Sequence, residues 1–254
     1  MKTRDNLKAV FKLSVIILSS ILILLLSSCI FDENVYIDFY EDCLYMMNSD
    51  GSGLLKLLDG FSSYAQFVPN RPLILYRGKN NNLYTIDYNG SNINKISDTL
   101  EVKQEFPALS LDGYKVVFIS EDDLFYVNMD GSNLKRLTYT NNVFERQPSF
   151  APDGNEVIYD SWNSIKDCYH ICTIDLTNLG KDTLLTSNYF LNWPHFSSDG
   201  ETIYFTKSGT NEGLYSMNND GSDIIKLISE ISAGFPIEVS VNKLLGDYIK
   251  IGPK

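Results

Sequence analysis

Beyond a short leader, the chain is a succession of brief apolar runs separated by small polar clusters. Residues 116–120 (VVFIS), 157–161 (VIYDS) and 202–206 (TIYFT) are rich in β-branched and aromatic side chains and bounded by turn residues, the composition of strands. Asp-Gly or Asn-Gly pairs punctuate them: Asp112-Gly113, Asp153-Gly154 and Asp199-Gly200 before such runs, and Asn89-Gly90, Asp130-Gly131 and Asp220-Gly221 further on. These pairs supply the positive-φ positions that tight hairpins require. No stretch after the leader shows capped helical periodicity. The pattern predicts an all-β chain built of hairpins.

The pattern also repeats. Aligning the glycines of the DGS-like turns gives Gly51, Gly90, Gly131 and Gly221, at intervals of 39, 41 and 90. The last interval is two periods of roughly 45, with a degenerate copy at residues 172–186 between them. A second signature runs in step, in FPALSLDGYKVVFIS from Phe106, QPSFAPDGNEVIYDS from Gln147 and WPHFSSDGETIYFTK from Trp193. Four antiparallel strands in such a period is the size of a β-propeller blade. Complete units are predicted over about 67–98, 107–138, 148–186 and 194–228. The N-terminal piece, 35–58, carries outer strands and the C-terminal piece, 235–252, inner ones. Joining both ends in one blade would remove exposed strand edges and give five blades; six results if the end pieces stay separate.

The repeat residues Pro148, Phe150, Asp153, Gly154, Ile158 and Tyr159, with Leu214, Tyr215, Asn218, Asp220, Gly221 and Leu227, resemble the WD-type repeats of TolB-like propellers. The resemblance covers essentially all of residues 29–254 and implies the propeller fold and a role in envelope protein–protein interaction. The DGS turns superficially resemble calcium loops. Counting from Asn128, the twelfth position is Tyr139, not the bidentate glutamate such a loop needs, so a hairpin turn is expected and no metal site.

The leader changes the setting. Lys2, Arg4, Lys8 and Lys12 precede the apolar run Ser14–Leu26, which is short of a bilayer span. It ends in Leu26-Ser27-Ser28-Cys29, which resembles a bacterial lipobox. The expectation is a signal peptide over 1–28, lipidation at Cys29, and a single propeller domain over 29–254 anchored in the cell envelope, at the outer membrane in a two-membrane bacterium. The full chain carries a net charge of −11. Such acidity argues against nucleic acid, since phosphate binding needs clustered Lys and Arg. Cys43, Cys168 and Cys172 cannot all pair, and the latter two lie roughly 13 Å apart along one strand, so buried thiols are expected rather than a disulfide framework.

Function is sought on loops held by the rigid scaffold. In an up-and-down blade the Asp-Gly and DGS turns share one face, while the loops between the second and third strands and the blade-to-blade connections share the other. The second set differs in every unit. Gln66, Phe106, Gln147, Trp193 and Phe235 enter the innermost strands there, with Arg146 and His195 adjacent. Tyr189, Phe190 and Trp193 are candidates for an aromatic contact patch, since Trp and Tyr are frequent interface anchors. Catalysis has little support: there is no G-x-S-x-G elbow, only His170 and His195 are present, and the adjacent acids Glu121-Asp122-Asp123 read as a solvated loop. No cofactor is expected. The reading is a non-enzymatic, protein-binding module; a glycan-binding or glycan-active propeller is the alternative.

Overall fold

The computed structural model describes residues 35–40, 43–48, 50–98, 100–103, 107–229, 237–240 and 248–251. Their secondary structure is all β. Strands β1 (Val35–Tyr40), β2 (Cys43–Asn48) and β3 (Leu55–Asp59) form a three-stranded sheet. Four four-stranded antiparallel sheets follow. The first holds β4 (Phe61–Phe67), β5 (Leu73–Gly78), β6 (Leu83–Asp87) and β7 (Asn94–Lys95). The second holds β8 (Ala108–Leu109), β9 (Lys115–Ser120), β10 (Asp123–Asn128) and β11 (Lys135–Arg136). The third holds β12 (Val143–Phe150), β13 (Glu156–Asn163), β14 (Cys168–Asp175) and β15 (Lys181–Ser187). The fourth holds β16 (Leu191–Phe196), β17 (Thr202–Lys207), β18 (Gly213–Asn218) and β19 (Ile225–Ser229). A last hairpin pairs β20 (Ile237–Ser240) with β21 (Tyr248–Ile251). The four complete units fall where the repeat places them.

The second strand of each sheet explains the composition of its apolar run. Side chains alternate across a strand, and here both faces are covered. Val116 and Phe118 of β9 join a core with Tyr64, Leu75 and Leu83 of the preceding sheet. Val117 and Ile119 join Phe150, Val157 and Tyr159 of the following one. Likewise Val157 and Tyr159 face backward while Ile158 packs forward on Phe196, Ile203 and Phe205. Ile74 and Tyr76 pack on Leu44 and Leu57 of the first sheet. A strand buried on both sides reads as a continuous apolar run, not an alternating one. The hydrophobic core is therefore a series of layers between sheets, each shared by two neighbours.

The DGS stretches are hairpin turns. Asp130 Oδ1 accepts the Ser132 N–H at 2.9 Å, and Gly131 N–H donates to the Asn128 carbonyl at 2.9 Å. The same side-chain bond recurs at Asp50–Ser52, Asn89–Ser91 and Asp220–Ser222. Asp175–Thr177 keeps it at 2.7 Å in the degenerate copy. The glycine serves two ends. Gly221 has φ +84°, and a Cβ there would lie 2.8 Å from the Leu184 carbonyl of the preceding sheet. Gly131 likewise sits over Lys95 and Ile96. Gly221→Ala is expected to destabilise by at least the ~1–2 kcal/mol of a left-handed non-glycine residue; urea unfolding indistinguishable from wild type would refute this double constraint.

Among the described residues, the end strands lie in two separate sheets, β1–β2–β3 and β20–β21. The shared closing blade expected from edge removal does not form as a single sheet there. β1 lies against β4, and β20 lies against β16 and β17.

Candidate functional site

The first strands of neighbouring sheets lie side by side, β8 next to β12 and β12 next to β16. Two of them carry a bulge at the same place. The β12–β13 ladder shifts between Arg146 and Ser149, and the β16–β17 ladder shifts between Asn192 and His195. Inside these shifts Gln147 has φ +50° and Trp193 has φ +55°. Left-handed backbone is uncommon for residues of this size and is retained where surrounding structure imposes it. Here the constraint is mutual: Gln147 Oε1 accepts the Trp193 N–H at 2.8 Å, and His195 Nδ1 lies 2.9 Å from Ser149 Oγ. Burial drives the His195 pKa down to about 4, so the ring is neutral at physiological pH. Gln66 meets the Tyr64 hydroxyl, which also lies 3.1 Å from the Pro107 carbonyl. The structure thus brings Gln147, Trp193 and His195 together as a hydrogen-bonded pair of inner strands.

Arg146, Tyr189 and Phe190 belong to a second group on the divergent face. Phe144 pairs directly with Trp162, and Trp162 with Tyr169, across three antiparallel strands. Their rings stack with centroids 5.3 and 6.5 Å apart. Tyr169 then meets Phe190 of the connection to the next sheet at 4.4 Å. The Arg146 guanidinium lies 5.8 Å over the Tyr169 ring and 2.7 Å from Asp160 Oδ2. Asp160 is fully buried, so this is an interior ion pair with its guanidinium laid along an aromatic array. Phe190 is 48% exposed and Tyr189 41%. Tyr189 is braced from the other side: Thr210 Oγ1 donates to its hydroxyl at 2.9 Å, and Lys207 Nζ lies 5.4 Å over its ring. Phe190 caps the array and Tyr189 stands beside it.

Phe144, Trp162 and Tyr169 carry no signal in the repeat pattern, because only strand register puts the three rings in line. Asp123 departs from the solvated-loop expectation: it is 1% exposed, ion-paired with Arg136, and accepts hydrogen bonds from Thr138 Oγ1 and the Thr140 backbone. His170 lies against Thr186 and Cys168 on its own sheet, and burial lowers its pKa. Cys43, Cys168 and Cys172 are buried, and among the described residues they form no disulfide. Cys29, Phe106 and Phe235 lie outside the described residues.

Stacked four-stranded antiparallel sheets with bulged inner strands and a variable loop face define a β-propeller. Residues 44–234 match the family model described as the TolB beta propeller domain, and the chain belongs to that family. Among solved structures, the putative TolB of Agrobacterium tumefaciens is similar with a TM-score of 0.59 at 16% identity, over 87% of this chain and 87% of that one. TolB from Acinetobacter baumannii gives 0.55 at 16% identity, over 82% of this chain and 56% of that one. The fold is also found in larger proteins: the tricorn protease gives 0.58 at 10% identity, over 74% of this chain but 21% of its own. No curated protein sequence matches the chain.

Proposed function

We propose that the protein is a lipid-anchored, extracytoplasmic propeller that binds a protein partner through its divergent loop face, without catalysing a reaction. The observation that carries this reading is the Phe144–Trp162–Tyr169–Phe190 array backed by Arg146. Aromatic side chains supply large contact area at low conformational cost, and aromatic and arginine side chains are enriched among the residues that dominate interface energetics. The array is rigid because cross-strand pairing holds three of its rings, yet it surfaces at Phe190 next to Tyr189. The leader and Cys29 support the anchor, which would tether the rigid disc and leave its loops free to engage partners.

The test is capture of partners from envelope extract by the full chain. Replacing Tyr189 and Phe190 together by alanine should weaken capture about tenfold or more, as loss of interface anchors does. Ile93→Ser, at an exposed position near the turn face, should leave it intact. Equal capture by both variants would overturn the assignment of the face. Metabolic palmitate labelling tests the anchor separately: the wild-type chain takes up label and Cys29→Ala does not.

A further inference from the structure

A buried acid occupies the junction between the second and third four-stranded sheets, beneath the connection 139–142. Glu145 is 2% exposed, and its backbone N–H ties β12 to the Asp122 carbonyl at 3.1 Å. Its Oε1 lies 2.9 Å from Thr140 Oγ1, and the same hydroxyl lies 3.1 Å from Asp123 Oδ1. Among the described residues, Glu145 Oε2 meets no hydrogen-bond partner. A threonine hydroxyl has one hydrogen, so it cannot donate to both carboxylates. Asp123 holds the stronger claim. Its Oδ1 already accepts from Thr138 Oγ1 and the Thr140 N–H, and its Oδ2 faces the Arg136 guanidinium. The remaining arrangement has Glu145 donating to Thr140, and Thr140 donating to Asp123.

We propose that Glu145 is a proton-binding site that governs the order of the divergent-face connection 139–142. With its proton, Glu145 closes the chain Glu145–Thr140–Asp123 and holds the connection down. Without it, two carboxylates compete for one hydroxyl hydrogen, Glu145 is left as a buried charge, and the connection carrying the exposed Tyr139 is released. Among the described residues, the other titratable or charged groups around the site are Arg136 of β11, which is taken up by Asp123, Tyr159 of β13, Cys172 of β14 and Lys181 of β15. Burial, reinforced by Asp123, moves Glu145 up to about 7, outweighing the Thr140 hydroxyl and Lys181, both of which draw the acid toward ionisation. An acid whose folded pKa is raised contributes fully while the unfolded chain is also protonated. That contribution is lost as pH rises from the ordinary carboxylate range through about 7. The window is therefore that of mild acid to neutrality.

The proposal concerns the protein alone and is tested without any partner. Hydrogen exchange at the Thr140 and Glu145 amides is measured on the full chain at pH 5.5 and pH 8.5, corrected for intrinsic rates. Protection in the wild type should fall about tenfold between the two, the scale of one charge-assisted hydrogen bond. Glu145→Gln, whose amide still donates to Thr140, should keep high protection at both. Equal protection of the wild type at both pH values overturns the proposal, as does the same pH dependence in Glu145→Gln. Recovery of protection at pH 8.5 on adding calcium chloride also overturns it, because the site would then hold a cation rather than a proton. Should Glu145→Gln not fold, carboxyl NMR titration of wild-type Glu145 decides the matter: a midpoint in the ordinary carboxylate range sinks the proposal.

Discussion

Arg146→Ala should lower the unfolding free energy by about 3–5 kcal/mol, the loss that follows when one member of a buried ion pair is removed. Asp160, in the middle of β13, is fully buried and would lose the guanidinium 2.7 Å away. Packing is lost as well, because the guanidinium spreads over the Tyr169 ring. Arg146→Lys should recover only part of the loss, since an ammonium cannot face a carboxylate and cover a ring at once. The check is denaturant unfolding with an unchanged m-value. A loss under about 1 kcal/mol would mean that the pair behaves as a solvated surface bridge. Partner capture should also fall in Arg146→Ala under conditions where it remains folded, because Tyr169 is the ring on which Phe190 rests.

That expectation revises the part Arg146 plays. By position in the repeat it is a candidate contact residue on the loop face; by geometry it is a support, with its charge facing the buried Asp160. The outward surface belongs to Phe190 and Tyr189. Under the proposed function, mutating Arg146 and mutating Phe190 should separate two effects: the first should lower stability and binding together, and the second should lower binding with little change in the fold.

The architecture is legible in the sequence because a repeat states it several times. Asp-Gly turns, the apolar runs and their spacing locate the four complete sheets, since backbone geometry at each hairpin demands the same residues. The aromatic array is a different kind of object. Phe144, Trp162 and Tyr169 lie far apart along the chain and align through the register of two ladders. The acids are harder still. Asp123 reads as part of a solvated run with Glu121 and Asp122, yet Arg136 of β11 and the following Thr138 and Thr140 fold over it. Asp160 is an acid inside an apolar strand, a placement that rarely stands without a partner. The sequence signal was there; the partner, Arg146, emerges only once β12 and β13 pair at Arg146↔Asp160.

Phe118→Ala should cost about 3–5 kcal/mol, comparable to the broken ion pair but by a different route. Phe118 is fully buried in β9 and stacks on Phe125 of β10 with centroids 5.8 Å apart. It also packs in the layer with Tyr64, Val68 and Leu75 of the preceding sheet, so truncation opens a cavity between two sheets rather than inside one. In a repeat architecture the interface between neighbours carries cooperativity. The variant should therefore broaden the unfolding transition and let the segment before β8 exchange its amides ahead of the rest. Ile119→Ala, on the opposite face of the same strand, should weaken instead the junction with β12–β15. Hydrogen exchange mapped on the two variants distinguishes these outcomes. If both variants loosen the same sheets equally, the layers do not act as separate nearest-neighbour contacts and the propeller unfolds as one undivided core.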